Sequence, residues 1–589
     1  MKKLIKYFIG LQFALLLIGF SSCENFLEYP PVLEFNEDSV FVKKANVDKY
    51  LSQMYAYNVN QLPFAGNRLD RSMLDAASDI GSALYIQSAY GVHKFNKGSA
   101  LAEWISNDAF GEDVFSSHYK AIRIGWKIIE RTDEVLDATQ VQKDRIKADA
   151  KTLIALHYFE LMKRYGGVPL VKKAFATSSE SLVLRSSVED VYKYIVQLCD
   201  EVIAAPNFPT LITDRNELGH TSKGLAFGLK SKALLFAASP LFNNDRPYMD
   251  NLGANSNLIC LLKYDKELWK QTADAAKIAI DSCETAGLSL TNIGDVDKNY
   301  TAAYLYAPSK GNTELIMVYL APFFGRKENW LPRGLPINGF SSNIPTFNFV
   351  EMFQKKDGTY RSWDTDTITP VNDPTYPYKE LDPRFKQIIC YNGMEYYAGV
   401  TLEMHDDFAG NKLGKNGKFA SAQFAHYNHK YVVGFEDMMI TTKTWRPMTI
   451  VMRLTELYLI EAEALNEYHD APTTDVFARI DAIRARSGMP PLDPTIITTK
   501  EQMRKMIQNE RAIELGWEDS RYFDLKRWKM GENFRGPIYD LSVRKLANNK
   551  YTYKKYLYET RFWGNHYYLH PFPPTEVNKN YGLIQNPGW

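Results

Sequence analysis

Met503, Ile507, Glu510, Glu514 and Trp517 recur at steps of three and four, the spacing of a single helical face. That face sets two carboxylates among apolar groups, and a carboxylate held there is costly unless a cation answers it. Two chemistries fit the pattern. A carboxylate pair can move protons, or charges can lock one helix to its neighbours. Arg511 stands three residues before Glu514, and Arg521 and Arg527 follow. Charged pairs inside helical arrays are mostly structural. Glu510, Arg511, Glu514 and Arg521 are therefore expected to form a structural charge network, with Arg511 and Arg521 as the partners of the two glutamates.

The rest of the chain supplies no second half for acid–base work. No G-x-S-x-G elbow, H-E-x-x-H helix or G-x-G-x-x-G loop is present. Gly410-Asn411-Lys412-Leu413-Gly414-Lys415-Asn416 is one residue short of a phosphate-binding loop and lacks its Ser/Thr. His426 and His429, with His405-Asp406-Asp407 upstream, could supply metal ligands, but two histidines three apart are commonplace in loops. Asp364-Thr365-Asp366 lacks the glycine and distal glutamate of a calcium loop. His157 lies on an apolar helical stripe and reads as a core histidine. No catalytic residue, metal or cofactor is expected, and the chain is not read as an enzyme.

Composition narrows the partners. Seventy Lys+Arg against 69 Asp+Glu leave a formal charge of +1, so no bulk field recruits nucleic acid. Aromatics make up 13% of the chain, and Tyr and Trp combine a flat apolar face with a polar edge, suited to packing and to ligand stacking. Cys23, Cys199, Cys260, Cys283 and Cys390 contain no C-x-x-C pair; the last four read as small buried hydrophobes.

The elements that must position such residues are helical. Periodicity predicts helices over 46–59, 117–137, 143–165, 187–204, from Lys223 to Ala238, from Trp269 to Ala286, and over 452–468, 475–487 and 501–518. The helix at 143–165 shows one apolar face and stops at Gly166-Gly167, with Pro169 beyond. Residues 60–112 form a long loop carrying Tyr90 and Trp104, and long loops in compact folds are often functional. Residues 291–447 are rich in Pro, Gly, Asn and aromatics, with a β-like run at 314–319; Arg326, Asn329 and Trp330 lie in its most suggestive piece.

The first residues read as an export signal. Lys2, Lys3 and Lys6 precede an apolar run from Tyr7 to Phe20, too short to span a bilayer, and Ser21-Ser22-Cys23 follows at once. This predicts a lipoprotein signal peptide over 1–22 and lipidation (palmitate included) at Cys23, although Phe20 and Ser22 depart from the commonest lipobox. Residues 23–45 would be the lipidated tether. The domain reading continues with an N-terminal helical part at 46–290, a loop-rich insertion at 291–447 and a C-terminal helical part at 448–589.

Several ordered pieces resemble the SusD/RagB family of Bacteroidota outer-membrane lipoproteins. They include Cys23-Glu24-Asn25-Phe26-Leu27, Ala155 to Leu161 with Tyr165-Gly166-Gly167-Val168-Pro169-Leu170, and Lys232-Ala233-Leu234 through Phe242. Leu381-Asp382-Pro383-Arg384-Phe385, Arg453-Leu454-Thr455-Glu456, Ile483 to Gly488, residues 507–528 and Gln585-Asn586-Pro587-Gly588-Trp589 complete the set. The resemblance implies a mainly α fold, with tetratricopeptide-like helix pairs carrying long loops and small β elements. It also implies a surface-exposed, lipid-anchored outer-membrane protein that binds a nutrient, first an oligosaccharide, and acts as a lid on a SusC-like TonB-dependent transporter. A peptide or other nutrient is the second reading and a glycoside hydrolase the third. It implies a ligand surface built from the N-terminal loops and the mid-chain insertion; no residue-level motif carries over, and within these regions Trp104, Tyr90, Trp330, Arg326 and Asn329 are the residues expected to bind ligand.

Overall fold

The computed structural model describes residues 37–57, 69, 72–83, 91–106, 112, 115–175, 180, 182–320, 343–363, 370–397, 400–405, 425–431 and 448–589. Helices α1 (Lys44–Ala56), α2 (Phe115–Arg131), α3 (Gln140–Tyr165), α4 (Val188–Ile203), α5 (Lys223–Ala238) and α6 (Glu267–Thr285) each pack against the next in sequence. After α7 (Val296–Leu305), strand β1 (Leu315–Leu320) and α8 (Phe347–Met352), the chain passes through the short strands β2 (Ile389–Tyr391) and β3 (His426–Asn428) to β4 (Met448–Arg453). Helices α9 (Leu454–Tyr468), α10 (Thr474–Arg486), α11 (Lys500–Leu515) and α12 (Arg521–Arg527) follow, and then a hairpin of β5 (Pro537–Lys545) and β6 (Tyr551–Thr560). Helix α9 packs on α6, so the helical array continues across the intervening residues as if they were an inserted loop. The ends of that loop are pinned, because β1 and β4 pair antiparallel with Val318 opposite Ile450. Each sheet found among the described residues has two strands.

Local chemistry explains the helix limits. Thr139 and Gln142 form a reciprocal capping box at the start of α3, as Thr499 and Gln502 do for α11. Ser187 and Ser222 cap α4 and α5. Helix α3 departs from the expected single apolar face: sixteen of its 26 residues are buried, because α2 and α4 flank it on both sides. His157 is fully buried there, with its Nδ1 2.6 Å from Nδ1 of His118, and burial pushes its imidazole down to about 4. Cys199, Cys260, Cys283 and Cys390 are buried free thiols.

Helix α11 ends at Leu515, three residues before the expected limit, and Trp517 and Asp519 take positive φ of 63° and 59°. The cause is a side-chain cap. The guanidinium of Arg453 donates to the Glu514 carbonyl at 2.8 Å, and the Lys430 ammonium donates to the Gly516 carbonyl at 2.8 Å. Buried cations thus satisfy carbonyls that a further helical turn would have used. Trp517 belongs to this turn and not to the helical face of Glu510 and Glu514. Likewise Met452 and Arg453 close β4 instead of opening α9.

Residues 584–589 are fastened to the far end of α3. Arg185 donates to the carbonyls of Gly167 and Ile584, each at 2.8 Å, and to Oδ1 of Asn586 at 3.0 Å. Asn586 Nδ2 donates in turn to the carbonyls of Tyr165 at 3.0 Å and His570 at 2.7 Å. The Trp589 indole N–H is shared between the carbonyls of His566 and Leu569, both 3.1 Å away.

Candidate functional site: a face built from three converging stretches

The turn Leu74–Ala77 leads into a two-residue strand, Gly81–Ser82, which pairs antiparallel with Ile344–Pro345. The join is reinforced on both sides. Thr346 donates its N–H to the Ile80 carbonyl at 3.1 Å and its hydroxyl to the Asp79 carbonyl at 2.6 Å, and Met73 N–H reaches Asn343 Oδ1 at 2.8 Å. Only glycine fits at position 81: a Cβ would lie 2.6 Å from the Asp75 carbonyl oxygen and 2.8 Å from the Trp517 ring. Arg521 clamps Asp79 through two contacts of 2.9 Å, holding this turn to α12.

The end of the β5–β6 hairpin makes the third member. Arg561 donates to the carbonyls of Ser78 at 2.6 Å and Gly81 at 2.8 Å. Tyr558 packs on Ile344, and Phe562 N–H binds the Asn96 carbonyl at 2.8 Å. The described residues that flank positions 84–90 and 321–342 are therefore tied together, and both are tied to residues 558–562.

Beside this junction stands Trp104, on the short helix Ala102–Ile105. It is half-buried, edge-to-face with Phe95 at 5.8 Å between ring centroids, and the Lys94 ammonium lies 4.6 Å over its ring. Phe562 is exposed and Trp563 half-buried nearby, Trp563 stacked on Phe534 at 4.4 Å. Flat aromatic surface, a cation and backbone polar groups are what an apolar-faced, hydroxyl-rich ligand meets well. Of the residues expected from the sequence to bind ligand, Trp104 is on this face. Tyr90, Arg326, Asn329 and Trp330 lie outside the described residues, as does Cys23.

Glu510, Arg511 and Glu514 of α11 and Arg521 of α12 are all buried, but the expected pairing is overturned. Glu510 meets Arg384, with Arg484 at 3.8 Å, and Glu514 meets Arg486 at 2.5 Å, Arg453 at 2.8 Å and Arg384 at 3.1 Å. Arg511 turns instead to Asp524 at 3.0 Å, and Arg521 to Asp79. Geometry decides this: Arg384, Arg453 and Arg486 enter from neighbouring elements, while Arg511 and Arg521 point toward α12 and the Asp79 turn. Burial alone would raise the Glu514 carboxyl, but the three guanidinia outweigh it and hold the group well below the usual range. Glu314 and Glu518 extend the cluster through Arg486 at 2.7 Å and Arg453 at 3.0 Å. A signal for these partners was present, because Arg384, Arg453 and Arg486 all sit in the motif pieces quoted above.

Family models match both parts of the chain. One described as the SusD family spans residues 306–589, and one described as starch-binding, associating with the outer membrane, spans residues 25–221. The chain belongs to the SusD/RagB family. SusD-like protein P2 of Formosa agariphila is 32% identical over 261 residues, which is 43% of this chain and only 41% of that relative. Among solved structures, a SusD-like protein of Bacteroides fragilis superposes with a TM-score of 0.75 at 21% identity, covering 94% of this chain and 99% of its own. A SusD-like carbohydrate-binding protein of the same species gives 0.68 at 22% identity, over 92% and 99% of the two chains. A laminarin-binding SusD-like protein gives 0.59 at 20% identity, over 93% and 100%. At these identities the likeness is one of fold, and it makes the helix-pair scaffold of this SusD-family chain a shared feature. No catalytic family matches among these findings, and among the described residues no helix is long and apolar enough to cross a membrane.

Proposed function

We propose that this SusD-family chain is a lipid-anchored, surface-exposed binding protein that captures an oligosaccharide and hands it to a SusC-like TonB-dependent transporter, over which it closes as a lid. The observation that carries the reading is the junction of Gly81–Ser82, Ile344–Pro345 and residues 558–562 beside Trp104. Described residues next to positions 84–90 and 321–342 meet there on a helical scaffold, and folds commonly present binding residues from such junctions. The carbohydrate-binding and laminarin-binding proteins of the same fold support a glycan as the ligand class. Sugar hydroxyls exchange water for protein at a gain of roughly 1 kcal/mol per hydrogen bond, so millimolar to micromolar affinity, about 4–8 kcal/mol, is expected. Weak capture suits handover. Cys23 is the proposed lipid attachment point, and Tyr90, Arg326, Asn329 and Trp330 are proposed to complete the ligand surface with Trp104.

Calorimetry of the purified protein against a polysaccharide panel tests this, with Trp104→Ala and Trp330→Ala alongside. Binding to at least one glycan, weakened tenfold or more by either substitution, is expected. No glycan bound, with peptides retained through purification, overturns the glycan reading.

A further inference from the structure

Helices α5 and α12 end side by side. Pro240 follows the last turn of α5, and Lys529 leaves α12 in the left-handed region with φ of 58°. Leu241 N–H donates to the Arg527 carbonyl at 3.0 Å, which ties the two ends together. Where the chain turns away, a gap remains against the first turn of α6 and the facing sides of α9 and α11. The gap is a cavity of about 430 Å³, within the roughly 300–1,000 Å³ of small-molecule sites. By comparison, the cavity beside Lys379 and Tyr391 holds about 210 Å³, and that beside Glu160 and Lys163 about 60 Å³. None of the residues lining the larger cavity belongs to the face around Trp104.

Two indoles wall it. Trp269, in the first turn of α6, is 4% exposed, yet its indole N–H meets no acceptor among the described residues. Trp528, at the end of α12, is half-buried; its N–H donates to Glu463 at 2.7 Å, and the Arg527 guanidinium lies 4.6 Å over its ring. That ring is fixed before any ligand arrives. From α11 comes Gln508, half-buried, with a carboxamide that makes no hydrogen bond among the described residues. Charge is closed internally. Glu463 accepts from Arg527 at 2.7 Å, and Glu467, one turn further along α9, accepts from Arg504 at 2.5 and 2.7 Å. The exposed rim adds one charge of each sign, Glu501 and Lys505. An ion therefore finds no net field here. A neutral ligand with hydroxyls and an apolar C–H face finds ring surface, a free donor, and an amide that both donates and accepts. A purely apolar side chain of a peptide would leave the Trp269 N–H and the Gln508 carboxamide unmet, which is unfavourable.

We propose that this cavity is a second saccharide site, which takes a neutral sugar unit through Trp269, Trp528 and Gln508. It draws its ligand class from the glycan-binding reading above and adds a contact separate from the Trp104 face. A glycan long enough to touch both places would be held more tightly than at either, because the second contact forms at high effective concentration.

Saturation-transfer NMR on the purified Trp104→Ala protein tests it, with maltose, cellobiose and laminaribiose as neutral probes. Digalacturonate and N-acetyltryptophanamide serve as charged and aromatic probes. Gln508→Ala and Gln508→Ala/Trp269→Phe are added to that background; Lys277→Ser, on the exposed side of α6, is the control. Gln508→Ala removes a side chain with no bond of its own, so it keeps the test open where the double variant fails to fold. Expected is transfer to at least one neutral disaccharide at millimolar affinity, weakened about tenfold by either cavity variant and unchanged in the control. Transfer equal in cavity variants and control overturns the proposal, as does preference for digalacturonate or N-acetyltryptophanamide. Disaccharide bound by wild type but not by Trp104→Ala overturns it while leaving the glycan-binding reading intact. No sugar bound by wild type, here or in the polysaccharide panel, overturns that reading and this site with it.

Discussion

Asp75 and Asp519 hold one another in place: the Asp519 N–H donates to Asp75 Oδ2 at 3.1 Å, and Asp519 Oδ1 accepts from Leu74 N–H at 3.0 Å. The pair clasps the turn that precedes the Gly81–Ser82 strand to the turn that follows α11. Two carboxylates this close and this buried do not both ionise readily. Burial first, and the neighbouring Asp519 second, push the Asp75 carboxyl up to about 8, with Lys430 opposing the rise.

Stability should therefore fall as pH rises. The folded chain keeps a proton that the unfolded chain, with an ordinary value of 3.8, gives up. The contribution is complete below pH 4 and is lost as pH rises through 8, a span on the order of a few kcal/mol. Asp75→Asn should flatten this slope between pH 5 and 9 and raise Tm at pH 8.5. Thermal melts across that range check it; an unchanged slope would show that Asp75 is ionised throughout.

Glu510→Ala should leave the buried Arg384 with Asp382 and Glu514 only, and cost about 1–3 kcal/mol in urea unfolding, with glycan affinity retained in the folded fraction. Glu514 carries the opposite pH sign to Asp75. Its depressed carboxyl contributes stability above the ordinary 4.5, lost as pH falls below it, so Glu514→Gln should be less sensitive to acid than wild type. Loss of binding with stability intact in Glu510→Ala would overturn the scaffold role.

Lys526 is 1% exposed, and its ammonium lies 4.8 Å over the Tyr522 ring. Burial, and then the nearby Arg164, hold it well below the usual lysine range, so the unfolded chain binds a proton here that the folded chain resists. Lys526→Met should raise stability at pH 7 by ~1 kcal/mol or more, the gain shrinking as pH approaches 10. Calorimetric melts at pH 7 and pH 9.5 decide this.

Asn586→Ala removes the donor shared by the Tyr165 and His570 carbonyls and the acceptor used by Arg185. A loss of about 1–3 kcal/mol is expected, since buried polar groups are left without partners. Protease sensitivity of residues 565–589, compared between variant and wild type, reads it directly.

The helical scaffold was legible because apolar spacing and helix-ending signals are local: Gly166-Gly167 marks the end of α3 without help from elsewhere. What was not legible is long-range. Nothing near Glu510 in sequence announces Arg384, 126 positions away, and the nearer Arg511 was the wrong partner. The β5–β6 hairpin went unread although Tyr551, Tyr553 and Lys555 alternate with their neighbours, because its inner face is sorted by tertiary packing and not by simple polarity. For the candidate face, composition pointed to two separate regions of the chain, but only backbone pairing shows that Gly81 and Ile344, far apart in sequence, stand side by side.

Asn586 grips the Tyr165 carbonyl across 421 positions of chain. Contacts of such separation form late, because the intervening chain must be brought together first. The first helix pairs can assemble as they emerge, but the end of α3 keeps unmet carbonyls until residues 584–589 arrive. A chain lacking residues 584–589 should thus reach a helical but unlatched state, open to proteases at Gly166-Gly167, so that segment sets when the end of α3 is closed.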